Sequence, residues 1–380
     1  MHGWCDKCRA VAFDGICSEH GSTKPLGFIN AIDVRPLTEF EKELLNRKQN
    51  KLKLDDGIFL TYGDKYYRRK IVFLDRVLLE FKFSKNDVQV IPHSKGLIKG
   101  MDKQNLLATN RERLERLIRV SKDFAEYEYN ENGYKNILSF SGGKDSIALA
   151  NLLKDQHMTK VFIDTKIEFP ETYSIINKFK HNGGKLEIVN AENSFFPLCK
   201  ENGFPTYENR WCCKTQKFKP FDDYLKNNYE EEYVRVFTGQ RRWESIARYD
   251  SPFVKQHKHI TKQLSVQPLL EWLTMDVWNY VWANNLPVNE LYKNFDRAGC
   301  WTCPFGLKYR SYIMKQTHPK MFEILKKFKA ISEEDIPCGI ENGKPCETEI
   351  NGKIEKTCDV FGHHYIKGMC RRCGKKSMSM

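Results

Sequence analysis

The apolar and polar positions between Ile137 and Thr172 set a clear pattern. A short apolar run (Ile137, Leu138) passes through Ser139-Phe140-Ser141-Gly142-Gly143-Lys144-Asp145-Ser146. It then enters a stretch with Ile147, Leu149, Leu152 and Leu153 at helical spacing. That order predicts strand, tight loop and helix. Lys160–Asp164 predicts a second strand, Glu171–Lys180 a helix, Lys185–Val189 a third strand and Glu232–Gly239 a fourth. Strands alternating with helices predict an α/β fold built on a doubly wound parallel sheet. Ligands of such sheets bind beyond the carboxyl ends of the strands. Ser141–Ser146, Asp164–Thr165 and Thr238–Arg242 are therefore expected to converge.

The flanks follow other patterns. Thr38 with Glu41 three positions later announces a helix over 37–49. Gly57–Tyr62, Lys70–Leu74 and Val77–Phe83 read as short strands broken at Gly63-Asp64 and Asp75-Arg76. This basic, β-rich region is either a small RNA-binding barrel or a platform packed on the next domain. Residues 104–128 read as one charged helix and 318–330 as an amphipathic one, with an irregular linker over 339–356. The resulting division is 1–25, 26–105, 106–335 and 336–380.

Size and composition agree with this. At roughly 100–200 residues per domain, 380 residues make two or three domains, and 41% hydrophobic content supports folded cores. No apolar run approaches the roughly 20 residues of a membrane span, and the N-terminus lacks a signal-peptide core. A cytoplasmic protein without membrane contact is expected. The 62 Lys and Arg against 49 Asp and Glu give a charge of +13, which favours polyanionic partners: nucleotides, and tRNA or another nucleic acid.

The loop carries the first chemistry. Gly142 and Gly143 let the backbone turn sharply and bring its N–H groups near an anion. The following helix adds its N-terminal dipole. Lys144 offers a charge, and Ser141 and Ser146 offer hydroxyls. A phosphate-bearing ligand fits. The spacing differs from a Walker loop, which disfavours P-loop kinase chemistry.

The 13 cysteines carry the second. In a cytosolic protein they argue for metal or redox chemistry rather than disulfides. Cys5-x-x-Cys8 and Cys17-x-x-His20 have the spacing of a closed, structural Zn²⁺ site, which either grips nucleic acid or staples a short segment. Cys358, His363 (or His364), Cys370 and Cys373 form a second such set. Adjacent Cys212 and Cys213 cannot chelate one zinc without strain. With Cys300-x-x-Cys303 they can reach the corners of a larger cluster, and four thiolates suit iron–sulfur or zinc. Arg210, Lys214 and Lys217 surround the pair. Cys199, beside Phe195, Phe196 and Leu198, reads as a buried thiol.

Several of these segments resemble one family. Phe162-Ile163-Asp164-Thr165 through Phe169-Pro170-Glu171-Thr172-Tyr173, Thr238-Gly239-Gln240-Arg241-Arg242-Trp243-Glu244-Ser245, and Pro268-Leu269 through Trp272 to Asp276-Val277-Trp278 are similar to signatures of phosphoadenosine phosphosulfate (PAPS) reductases. Cys212-Cys213 with Cys300-x-x-Cys303 resembles the iron–sulfur branch, which includes adenylyl-sulfate (APS) reductases. The resemblance covers about residues 134–310. It implies an adenine nucleotide α-hydrolase-like fold, a [4Fe–4S] cluster on those four cysteines, and the Ser141–Ser146 loop on the nucleotide. It also implies Arg241, Arg242 and Arg248 near the anion.

In such reductases a cysteine near the C-terminus attacks the sulfonucleotide sulfur, and a thioredoxin-like thiol donor then releases sulfite. Ile336-Pro337-Cys338-Gly339-Ile340 resembles the family's tail in part. Pro337 stands for its Glu, Glu341 for its His, and the chain continues. Cys338 is the candidate nucleophile; a zinc ligand with Cys346, or a plain surface thiol, are the other readings.

The intact Ser-Gly-Gly-Lys-Asp-Ser loop also looks like the PP-loop of ATP pyrophosphatases, which include nucleic-acid thiolation enzymes. In that reading Lys144 neutralises leaving pyrophosphate and Asp145 or Asp164 holds Mg²⁺. A third reading is a non-enzymatic iron–sulfur nucleic-acid-binding protein.

Overall fold

The computed structural model describes residues 2–26, 33–63, 69–73, 76–83, 87–131, 133–206, 209–305 and 307–334, and beyond them short backbone strands between 340 and 370. At its centre lie six strands, numbered here in chain order: β1 (Lys135–Ser139), β2 (Thr159–Asp164), β3 (Leu186–Asn190), β4 (Val234–Phe237), β5 (Val254–Gln256) and β6 (Gln263–Val266). Their order is β3-β2-β1-β4-β6-β5. All neighbours are parallel except the β5 edge, which runs antiparallel to β6. The chain winds outward from β1 to β3 and returns on the other side through β4. The crevice between β1 and β4 is thus the topological switch point.

Alternation along the strands explains the two covered faces. Ile137, Val161, Val234 and Val236 point into one core with Phe221 and Leu225 of the helix Lys219–Asn228. Leu138, Phe140, Phe162 and Phe237 point into the other. There they meet α1 (Lys144–Leu152), α2 (Pro170–His181) and the helix Thr274–Ala283. This is the expected doubly wound α/β sheet.

The N-terminal region is packed against this domain as a platform. Thr38 and Glu41 form the expected capping box at the start of the helix Glu39–Lys48. Beside it lies a linear five-stranded antiparallel sheet: Val88–Pro92, Arg76–Phe83, Arg69–Phe73, Leu60–Gly63 and Arg35–Pro36. Its two outer strands do not pair, so the described residues form an open sheet and not a barrel. Phe83 meets the rings of Tyr309 and Tyr312 at 4.7 and 5.4 Å. Arg35 and Arg69 reach Asp296 at 3.5 and 2.9 Å.

Two expectations need correction. The single helix over 104–128 is two, Lys103–Thr109 and Arg111–Asn130. The break falls at Asn110, whose buried side chain bonds the strand Ala10–Ala12 and the residue after it: Nδ2 donates to Val11 O at 2.7 Å and Oδ1 accepts from Phe13 N at 2.9 Å. The linker over 339–356 carries antiparallel ladders, Ile340–Glu341 with Lys344–Pro345 and Glu347–Ile350 with Lys353–Lys356. Among the described residues no helix is long and apolar enough to cross a membrane.

Candidate functional site

The loop after β1 is shaped by its own side chains. Gly142 has φ +69°, in the left-handed region, and a Cβ there would lie 2.8 Å from Ile175 Cγ2. Glycine meets both demands. Ser146 Oγ donates to Gly143 O at 2.9 Å and accepts from Ser141 N at 3.2 Å, which closes the loop on itself. Lys144 N donates to Tyr292 OH at 3.0 Å. The loop and the first turn of α1 face the switch-point crevice, where strand-end anions are bound.

Behind the loop is a buried charge network. Lys144 Nζ donates to Asp145 Oδ2 at 2.7 Å, and Arg241 Nε donates to Asp145 Oδ1 at 2.7 Å. Arg241 is 2% exposed. Its NH1 reaches Asp33 Oδ2 at 3.2 Å and its NH2 donates to Thr274 Oγ1 at 2.9 Å. Burial alone would raise the Asp145 carboxyl, but Lys144 and Arg241 hold it down at about 2. Every guanidinium nitrogen of Arg241 is thus engaged within the protein. Arg242 turns outward to Glu271, 2.7 Å away. Arg248 pairs with Glu244; burial, then Arg297 and Arg241, lower its pKa.

The end of β2 leads to the cysteines. Asp164 Oδ1 accepts from Lys166 N and Tyr173 OH, both at 2.8 Å. Thr165 Oγ1 donates to Glu168 Oε1 at 2.9 Å and lies 3.6 Å from Cys300 Sγ. Cys300 Sγ donates to the same carboxylate at 3.4 Å, and Lys217 Nζ reaches it at 3.7 Å. Arg310 NH1 donates to Cys300 O at 3.2 Å.

Cys212 and Cys213 sit at the start of a helix that passes through one π-type turn, Lys214–Phe218; such turns are frequent at functional sites. A hydrogen bond from Cys212, with Lys217, Arg210 and Arg297 nearby, lowers the Cys213 thiol to about 6. The bond to Cys213 raises the Cys212 thiol, with burial, Cys300 and Cys303 adding to it. Burial, then Glu168, pushes Cys300 up to about 12. The structure therefore brings the four cysteines into one electrostatic neighbourhood. The two halves of the site also lie close together: a Cβ on Gly143 would come within 3.8 Å of Ala298 Cβ, two residues before Cys300.

The N-terminal ligand set is compact. Cys5, Cys8, Cys17 and His20 offer ligand atoms that all lie within 4.8 Å of one another. Cys8 Sγ is 3.7 Å from Cys17 Sγ, and His20 Nδ1 is 3.6, 3.3 and 3.7 Å from the sulfurs of Cys5, Cys8 and Cys17. Tetrahedral bonds to zinc of about 2.3 Å for sulfur and 2.05 Å for nitrogen require edges of about 3.8 and 3.6 Å. The set fits Zn²⁺. Among the described residues it is the only group gathered within 4.8 Å. Cys212, Cys213, Cys300 and Cys303 are not gathered within that distance.

Sequence reasoning missed Asp33, Glu168, Tyr292 and Arg297. Asp33, Tyr292 and Arg297 sit in no quoted motif, and Glu168 lies inside one at a position given no role. Cys338, Cys346, Cys358, His363, His364 and Cys373 lie outside the described residues, as does the side chain of Cys370. Cys199 is buried, and burial pushes its thiol up to about 12.

Comparison with known proteins adds the relations of the chain. Residues 135–305 match the phosphoadenosine phosphosulfate reductase domain. An uncharacterized protein of Methanocaldococcus jannaschii is 34% identical over 247 residues, covering 61% of this chain. The chain spans 58% of that relative and 42% of a second uncharacterized one from the same organism, about half the length of each. The adenosine 5'-phosphosulfate reductase of Lysinibacillus sphaericus is 30% identical over 200 residues, covering 50% of this chain and 82% of that one. Among solved structures, the phosphoadenylyl-sulfate reductase of Candida auris aligns with TM-score 0.40 and 19% identity, over 51% of this chain and 97% of that one.

Proposed function

Because the chain belongs to the phosphoadenosine phosphosulfate reductase family, we propose that it is an iron–sulfur sulfonucleotide reductase that converts PAPS or APS to sulfite. One observation carries this reading. The anion loop lies close to the cysteines in space: a Cβ on Gly143 would come within 3.8 Å of Ala298, two residues before Cys300, and Lys217, Arg210 and Arg297 act on the Cys213 thiol.

The loop, the α1 dipole and Lys144 bind the phosphate–sulfate end, and Arg248 and Arg297 face the sulfonate. Cys338 Sγ attacks the sulfur. An S–S bond forms, the S–O bond to the phosphate breaks, and its electron pair leaves on the nucleotide: adenosine 3',5'-bisphosphate from PAPS, or AMP from APS. A dithiol donor of thioredoxin type attacks the Cys338 sulfur of the thiosulfonate. Sulfite departs with the bonding pair, and closure of the donor disulfide supplies the two electrons. Cys212, Cys213, Cys300 and Cys303 would hold a [4Fe–4S] cluster, which would supply a rigid thiolate-anchored iron–sulfur centre to the site. Glu168, Thr165 and Lys217 set the polarity around Cys300. Cys5, Cys8, Cys17 and His20 hold Zn²⁺ as a structural staple, and the C-terminal set of Cys358, His363, Cys370 and Cys373 is assigned the same role.

The intact Lys144-Asp145 pair favours a second reading, ATP-dependent thiolation of tRNA or another nucleic acid. Both Asp145 oxygens are taken by Lys144 and Arg241, so Asp164 is the better Mg²⁺ ligand there. An anaerobic assay of purified protein with a dithiol and PAPS, APS or Mg-ATP, reading sulfite and pyrophosphate, separates the two. Sulfite lost in Cys338→Ser supports the reductase and its nucleophile. Pyrophosphate that depends on added tRNA, without sulfite, overturns it in favour of thiolation.

A further inference from the structure

The buried network behind the loop contains one member from outside the family domain. Asp33 lies about a hundred positions before residue 135, where the family match begins. It is nevertheless fixed in the site. Its Oδ1 accepts from Thr274 N at 2.6 Å and its Oδ2 from Thr274 Oγ1 at 2.8 Å, and Oδ2 faces Arg241 NH1 at 3.2 Å. Its side chain is 15% exposed against 3% for Arg241.

The charges of this group can be summed. Lys144 and Arg241 contribute two positive charges; Asp145 and Asp33 contribute two negative ones. Glu244, 3.6 Å from Arg241 NH2, is shared with Arg248. With Asp33 in place the group behind the loop is neutral. Without it the group carries one unit of positive charge, in surroundings where water screens poorly. That difference acts on any bound anion in proportion to the anion's own charge.

We propose that Asp33 is a specificity-determining residue: by neutralising the group behind the loop, it restrains the site's preference for more highly charged nucleotides over less charged ones. The proposal rests on the reading of Ser141–Ser146 as a nucleotide loop and deepens it. PAPS and ATP carry about two more negative charges than APS and AMP near neutral pH. Asp33 therefore acts on the choice between the members of each pair. Arg241, each of whose guanidinium nitrogens is bonded within the protein, acts as a positioning residue between Asp33 and Asp145 rather than as a direct ligand of the anion.

The test is a set of binding titrations of AMP, ATP, APS and PAPS without added magnesium, on the full metal-loaded chain at fixed ionic strength. Asp33→Asn removes the charge and keeps an oxygen for Thr274. It should raise the affinity ratios ATP/AMP and PAPS/APS about fivefold, and Asp33→Glu should restore them. Thr274→Ala, which removes two hydrogen bonds and no charge, should change all four affinities by one common factor. Should Asp33→Asn fail to fold, the Asp33→Glu and Thr274→Ala ratios still decide, since either ratio moving more than twofold from wild type overturns the proposal. A uniform loss across the four ligands in Asp33→Asn makes Asp33 merely structural and also overturns it. Failure of the wild-type chain to bind any of the four overturns the nucleotide reading itself, and the role of Asp33 with it. Wild-type binding with unchanged ratios in Asp33→Asn overturns the role of Asp33 alone.

Discussion

A Cβ on Gly239 would lie 2.9 Å from both the carbonyl carbon and the carbonyl oxygen of Asp145. The end of β4 is therefore pressed against the first turn of α1, backbone to backbone. Neither side has a flexible tip that can yield. Gly239→Ala should push the loop out of place, at about 1–3 kcal/mol for an overpacked contact. Nucleotide affinity should fall at least about tenfold for each 1.4 kcal/mol of that strain felt at the site. Isothermal titration with APS or ATP checks it; unchanged affinity would show that the contact is relieved without moving the loop.

Asp145 makes the site's contribution to stability depend on acid. Its carboxyl is held down at about 2, below the unfolded value of about 3.9. The stabilisation is fully present above pH of about 4 and is lost as pH falls through about 2. Urea unfolding between pH 5 and 2 should show this loss, and it should be smaller in Asp145→Asn. An identical acid profile in the variant would mean that other carboxylates dominate.

The four-ligand knuckle should bind its ion tightly. Cys8→Ser should lower the zinc content by one equivalent per chain, measured by mass spectrometry. Cobalt in place of zinc should give the intense visible bands of a tetrahedral site rather than the weak ones of an octahedral site. Metal content unchanged in Cys8→Ser would remove the assignment.

Asn110→Ala should destabilise the protein far more than an ordinary surface change. It leaves Phe13 N and Val11 O without their partner, at about 1–3 kcal/mol for each buried group left unsatisfied. A lowered urea midpoint with an unchanged slope is the expected result. A loss below about 0.5 kcal/mol would show that water replaces the side chain.

Local patterns carried much of the fold. The β1–loop–α1 unit was legible because its period changes from strand to helix across two glycines. The capping box at Thr38 and the ligand set at Cys5, Cys8, Cys17 and His20 were legible for the same reason, since all their parts lie within a few residues. What stayed hidden depends on distance along the chain. The break at Asn110 is invisible because the helical period of 104–128 continues across it, and only the backbone of Val11 and Phe13 draws the side chain away. Asp33 and Glu168 carry no motif of their own. The antiparallel edge β5 is three residues long, too short for a period to register. Arg241 was legible as a cation near the loop, yet its burial among Asp33, Asp145 and Thr274 comes from three separate parts of the chain.

The ion pairs at Asp296 bear on where the molecule can be divided. Asp296 belongs to the family domain, and its pairing with Arg69 and Arg35 holds its carboxyl well below the usual range against the cost of burial. Both partners come from the N-terminal sheet, as Asp33 comes from the segment before it. A fragment starting at residue 106 would keep the motifs but take Arg35 and Arg69 from Asp296 and Asp33 from Arg241, leaving buried charges less well compensated. The seam visible in composition is therefore not a seam in energy. In this chain the family domain draws part of its counter-charge from the region that precedes it.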